Sequence, residues 1–160
     1  MKLIKLTQGF SATIDDNMEE RVSYFRWCVQ ESTPDIRYYA VTNMWKGSKE
    51  LKLYMHQLIM GTPIDKVIDH KNGDGLDNRV ENLRICSYQQ NSLNSRCRSG
   101  CTSKYRGVSW YKFYNKWTVY ISINRKHTSI GNFENEVDAA LAYNEKAIKY
   151  HGEFARLNII

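Results

Sequence analysis

Apolar residues along this 160-residue chain fall in short runs whose internal spacing changes from one region to the next. Within the first 55 residues, FSATI, FRWCVQ, RYYAVTNM and LKLYM are dense in β-branched and aromatic side chains. Polar clusters at 15–20, 32–35 and 46–49 separate them, which is the pattern of short strands joined by turns. A small antiparallel sheet is expected there, with one or two helical turns in DDNMEERV. From residue 67 an apolar run closes on Asp69 and His70, and a Gly/Asp/Asn-rich loop follows. Asn82 then precedes a second apolar run, and Asn91 lies in a polar segment suited to a short helix. That order is strand, loop, strand, helix. After residue 94, SRCRSGCTSKYRG is basic and lacks large aliphatics, as a linker along a DNA backbone would.

Beyond it, YRGVSW, KWTVYISI and KHTSIGNF predict three strands with tight polar turns. Asn135 caps a helix starting at Glu136, with Val137, Ala140, Leu141, Ala147 and Ile148 on one face and Gly152 at its end. Ala139, Ala140, Ala142 and Ala147 are small enough to let this helix approach the sheet closely. The fold class is α+β. A β-rich N-terminal region (1–50) supports the central strand–loop–strand–helix motif (51–95), a linker spans 96–103, and a three-stranded antiparallel sheet packed on one helix fills 104–160.

Composition narrows the function. A hydrophobic fraction of 42% and a charged fraction of 25% are those of a globular protein and argue against disorder. No run of 18 apolar residues is present, and MKLIKLTQGF lacks the apolar core of a signal peptide, so a cytoplasmic protein is expected. A net charge of +6 favours polyanionic partners, double-stranded DNA first. Aromatic and basic residues are interleaved in the C-terminal third, and Arg37, Lys46, Lys49 and Lys52 could add phosphate contacts. Cys28, Cys86, Cys97 and Cys101 form no Cys-x-x-Cys unit, so free thiols and no structural zinc are expected. A monomer is the expected state.

Metal-dependent phosphodiester hydrolysis needs hard oxygen ligands for a divalent cation and a base that deprotonates water, and the central motif offers both. Asp74, Asp77 and Asn78 are read as turn formers. Asp69-His70, Asn82 twelve residues after the histidine, Asn91 nine further on, and the context NGDGLDNRVENLR resemble the ββα-metal motif of HNH endonucleases, nearest to the phage homing type. The resemblance covers about residues 51–95. It implies that Asp69 and Asn91 hold one Mg²⁺ or Mn²⁺, that His70 is the general base, and that Asn82 accepts the base's ring N–H. It also implies a short helix over 54–60, where His56 is a supporting residue or a packed histidine, and products with 5′-phosphate and 3′-hydroxyl ends. An amide in place of the family's final histidine suits Mg²⁺.

The C-terminal pattern resembles the APETALA/ethylene-response-factor DNA-binding domain. The matches are YRGV at 105–108, Lys116-Trp117, IGNF at 130–133, DAALAYNEKA at 138–147 and ARLN at 155–158. This implies a sheet laid in the DNA major groove, with Arg106 the one clear groove-facing match. Ser109, Tyr120, Ser122, His127 and Ser129 stand where plant members often carry Arg, Glu or Trp. Arg106, Lys112, Lys116, Arg125 and Lys126 are the candidate DNA contacts. The reading is a homing-type DNA endonuclease; the alternative is a DNA-binding regulator with an inactive nuclease motif.

Overall fold

The computed structural model describes residues 1–32, 37–94, 101–124 and 126–160. The chain divides into two compact units, Met1–Asn91 and Ser92–Ile160.

In the first unit β1 (Lys2–Lys5) pairs antiparallel with β2 (Ser11–Ile14), and a 3₁₀ turn at Asp16–Met18 leads into α1 (Glu19–Ser23). β3 (Cys28–Ser32), β4 (Arg37–Lys46) and β5 (Lys49–Tyr54) form a second antiparallel sheet in that order. The single sheet expected from the pattern is therefore two, and β1 adds a strand that the pattern does not predict. Pairing of the FRWCVQ run begins only at Cys28, because Trp27 turns into the core, where it is 5% exposed and its Nε1 donates to the Val22 carbonyl at 2.9 Å. The short helix α2 (Met55–Met60) follows, then the antiparallel hairpin of β6 (Val67–His70) and β7 (Leu83–Cys86), then α3 (Tyr88–Leu93), within which the first unit ends. Ile14, Val22, Met55 and Leu83 meet in one buried cluster that ties β2, α1, α2 and β7 together. Each such side chain contributes about 1.5–3 kcal/mol on burial.

In the second unit β8 (Val108–Tyr111), β9 (Lys116–Ile123) and β10 (Lys126–Phe133) form an antiparallel sheet with β9 in the centre, and α4 (Glu136–His151) packs against it. Val119 and Ile121 point to the helix, while Tyr120 and Ser122, which alternate with them, are exposed. The Asn135 side chain accepts from the Val137 N–H at 2.7 Å, as the capping pattern predicts, and the helix ends at Gly152.

The helix's buried face matches the predicted one at Ala140 and Ala147 and differs from it elsewhere. Ala139, Ala140, Tyr143 and Ala147 are buried, whereas Val137, Leu141 and Ile148 are exposed. The Tyr143 ring takes the central place in the contact, and it lies so near Gly107 that a Cβ there would come within 2.3 Å of the ring. Gly107 also has φ of +74°, so both space and backbone call for glycine. Trp117 is half-buried at the margin of the core, with its ring edge-on to Trp110 at 5.0 Å. Most of the predicted linker lies outside the described residues. Its last part is packed: Thr102 Oγ1 accepts from the Trp110 N–H, and buried Ser103 donates to Glu136 at 2.7 Å.

Candidate active site

The β6–β7 hairpin pairs Asp69 with Arg84 and His70 with Leu83, and carries a long polar loop between its strands. The loop is closed by its own side chains. Asn82 accepts from the Asn72 N–H at 3.1 Å and donates to Asn72 Oδ1 at 3.1 Å and to the Asp77 carbonyl at 2.7 Å. Asp77 receives the Arg79 guanidinium at 2.8 Å, which holds its carboxyl below the usual carboxylate range. The N-terminal hairpin braces the loop from outside. Thr13 donates to the Leu76 carbonyl and accepts from the Asn78 N–H, both at 2.8 Å, and Asp15 accepts from the Val80 N–H at 2.7 Å. Gly75 lies so close to β4 that a Cβ would meet the Tyr38 carbonyl at 2.4 Å and the Tyr39 ring at 2.6 Å.

His70 is 5% exposed, and its Nε2 faces Asn78 Oδ1 at 3.3 Å. The partner inferred by resemblance was Asn82, but both ends of that amide are taken up by Asn72 and Asp77. The difference has a physical source. Asn82 sits at the end of a 3₁₀ turn (Val80–Asn82) facing the loop backbone, while Asn78 is buried under the ring. Nothing in the local pattern separates Asn78 from a turn former. Burial pushes the His70 pKa below the ordinary imidazole value, opposed by the Asn78 bond and by the carboxylates of Asp69, Asp74 and Asp77. His56, on α2, meets the His70 ring edge-on at 5.0 Å, with Tyr39 at 5.9 Å from His70 and 6.1 Å from His56. Burial, and then the neighbouring His70, push the His56 pKa down to about 3.

A cavity of about 560 Å³ opens beside these rings, and Asp69, His70 and Asn91 all line it, together with the cations Arg37 and Lys66. Asp69 is 3% exposed and its Oδ2 accepts from Arg84 Nη2 at 2.7 Å and Nε at 2.9 Å. This buried ion pair had no signal in the sequence, since it depends on strand register. Among the described residues no group of three or more His, Cys, Asp or Glu side chains is placed to hold a metal ion. A hard cation would therefore depend on the Asp69 carboxylate, the Asn91 amide oxygen and water, a donor set that suits Mg²⁺ or Mn²⁺.

In the second unit, register places Ser109, Tyr120, Ser122, His127 and Ser129 on the exposed sheet face. Lys112 and Lys126 are exposed, and Lys116 lies 3.7 Å from Glu134. Arg106 is half-buried, and its Nε donates to the Tyr143 hydroxyl at 2.9 Å, while its backbone N–H donates to Asn158 at 2.7 Å. Arg125 lies outside the described residues. Among the described residues no helix is long and apolar enough to cross a membrane.

Residues 57–93, which hold both strands of the hairpin, its loop, most of α2 and all of α3, match the HNH endonuclease family. A protein of Acanthamoeba polyphaga mimivirus named as an HNH endonuclease is 30% identical over 141 residues, covering 87% of this chain and 70% of the relative. Protein 3.8 of Escherichia phage T7 is 30% identical over 96 residues, 59% of this chain and 78% of that protein. An AP2-like ethylene-responsive transcription factor of Arabidopsis thaliana is 34% identical over 59 residues, 37% of this chain and 12% of the factor. Similarity on this scale to the first two proteins, running well beyond the hairpin that bears Asp69 and His70, makes the chain a member of the HNH endonuclease family and a DNA-cleaving enzyme.

Proposed function

We propose that the chain is a sequence-directed endonuclease of the homing type, which hydrolyses DNA with one Mg²⁺ or Mn²⁺ held by Asp69 and Asn91. The observation that carries this reading is that Asp69, His70 and Asn91 open on a single cavity edged by Arg37 and Lys66. His70 takes a proton from the attacking water, and burial, which lowers its pKa, keeps the ring neutral and ready to accept. Arg84 fixes the Asp69 carboxylate through two N–H groups on one oxygen. Arg37 and Lys66 draw the phosphodiester into the cavity. A divalent cation held by Asp69 and Asn91 would supply positive charge to the phosphodiester under attack. The products then carry 5′-phosphate and 3′-hydroxyl ends.

The second unit supplies the address. Its support is the partial similarity to an AP2-like transcription factor and an exposed sheet face beside Lys112 and Lys126. Phosphate contacts hold the duplex and the sheet face discriminates bases.

The test is cleavage of a supercoiled plasmid with Mg²⁺, with Mn²⁺ and with EDTA, using the wild type and His70→Ala. Metal-dependent nicking that EDTA stops and His70→Ala reduces about 100- to 10,000-fold is expected, with DNA affinity retained. Cleavage in EDTA would remove the cation from the reaction. Equal rates in His70→Ala would remove His70. Binding without cleavage under every condition would leave a DNA-binding regulator.

A further inference from the structure

The side chain beneath the His70 ring is Asn78, and we propose that Asn78 is the residue that positions the general base, holding the ring as its Nε2–H tautomer and presenting Nδ1 to the water. This rests on the reading of His70 as the base.

The network decides the orientation of the Asn78 amide. Its Nδ2 lies 3.2 Å from the Leu76 carbonyl and 3.5 Å from the Gly75 carbonyl. Carbonyl oxygens only accept, so nitrogen must face them and Oδ1 must face the ring, where it stands 3.3 Å from Nε2. An amide oxygen also only accepts, so Nε2 carries the hydrogen and the lone pair resides on Nδ1. Asn78 is 1% exposed and its own backbone N–H is bonded to Thr13, so the acceptor is held from both sides. The rings of Tyr39 and His56 restrict rotation of His70 from its other sides. Asn82 works elsewhere, because its three hydrogen bonds go to Asn72 and Asp77 and anchor the loop. Asn78 does not line the cavity that Asp69, His70 and Asn91 share. It acts through the ring, as outer groups do that set the tautomer of an imidazole.

The experiment begins with the unaltered chain, labelled with ¹⁵N-histidine and examined by NMR at pH 7.5, with the His70 signals identified by their loss in His70→Asn. The proton-bearing nitrogen of His70 is expected to be Nε2. In Asn78→Ala the tautomers should mix and kcat should fall about 10- to 100-fold with KM unchanged. Asn78→Asp keeps an acceptor under the ring and should keep the Nε2–H form and a kcat nearer the wild type. Asn82→Ala, although less stable, should keep the Nε2–H form. A wild-type His70 protonated at Nδ1 overturns the proposal even if Asn78→Ala fails to fold. So does an Asn78→Ala ring with unchanged tautomer, or an Asn82→Ala ring that alone loses it. If instead His70→Ala cleaves normally while the tautomer is as expected, the base assignment fails and the Asn78–His70 geometry stands.

Discussion

His56 enters the fold as a neutral imidazole, and that has a cost that depends on pH. Its pKa is about 3 in the folded chain against 6.5 for an ordinary histidine, so the unfolded state binds more protons across that window. Stability is complete above pH 6.5 and declines as pH falls toward 3; the loss at pH 5 is about 2 kcal/mol. His56→Phe removes the titration, so the difference in urea stability between pH 7.5 and pH 5 should shrink. An undiminished difference would clear His56 as the source. The Asp69–Arg84 pair makes a second test. With side chains 3% and 11% exposed, removing the guanidinium in Arg84→Met takes two hydrogen bonds and a positive charge from a buried carboxylate. Such a loss costs about 3–5 kcal/mol, readable in thermal or urea unfolding, and a neutral outcome would mean that Asp69 is supported elsewhere. At this scale the sequence was half informative. Asp69, His70 and Asn91, singled out by the resemblance, line one cavity. Asn78 and Arg84 stayed hidden because one is identified by depth beneath a ring and the other by cross-strand register, and neither leaves a periodic trace.

Among the elements, β9 and β10 have the bounds read from the pattern, because their β-branched and aromatic runs end in turn residues that tolerate left-handed backbone, such as Asn124 at φ of +49°. The central hairpin was equally legible. The face of α4 was not: its largest aliphatics suggested one stripe, but close approach to the sheet selects alanines and a single tyrosine. Leu141→Lys, on the exposed side, should therefore change stability by no more than about 0.5 kcal/mol. Ala140→Leu, at a fully buried position, should cost about 1–3 kcal/mol by overpacking. Reversal of that order in denaturant titrations would restore the predicted face. Gly75→Ala in the loop between β6 and β7 pushes a methyl group against β4 backbone and the Tyr39 ring, and a loss of about 1–3 kcal/mol is expected. Because Tyr39 also touches His70, cleavage should fall further than the unfolded fraction alone explains; a loss matching that fraction would confine the effect to packing.

The whole molecule consists of two units with separate buried clusters, which supports dividing the labour between them. A chain ending at Asn94 should nick DNA weakly and without site preference, while residues 101–160 alone should bind and never cut. In salt titrations the shortened nuclease should show a shallower log–log slope, since each lost phosphate contact removes about 0.9. The same unique site cut with the same slope would show that the second unit is not the reader. The first unit's internal wiring also governs when a growing polypeptide becomes dangerous to a genome. Residues 57–93 carry the family match, yet their loop borrows bonds from Thr13 and Asp15, more than 60 positions upstream. Closing so long a span is entropically slow relative to forming the local hairpin. A nascent chain therefore finishes its scissors only after the early hairpin has been captured, and a fragment lacking that hairpin would emerge from the ribosome blunt.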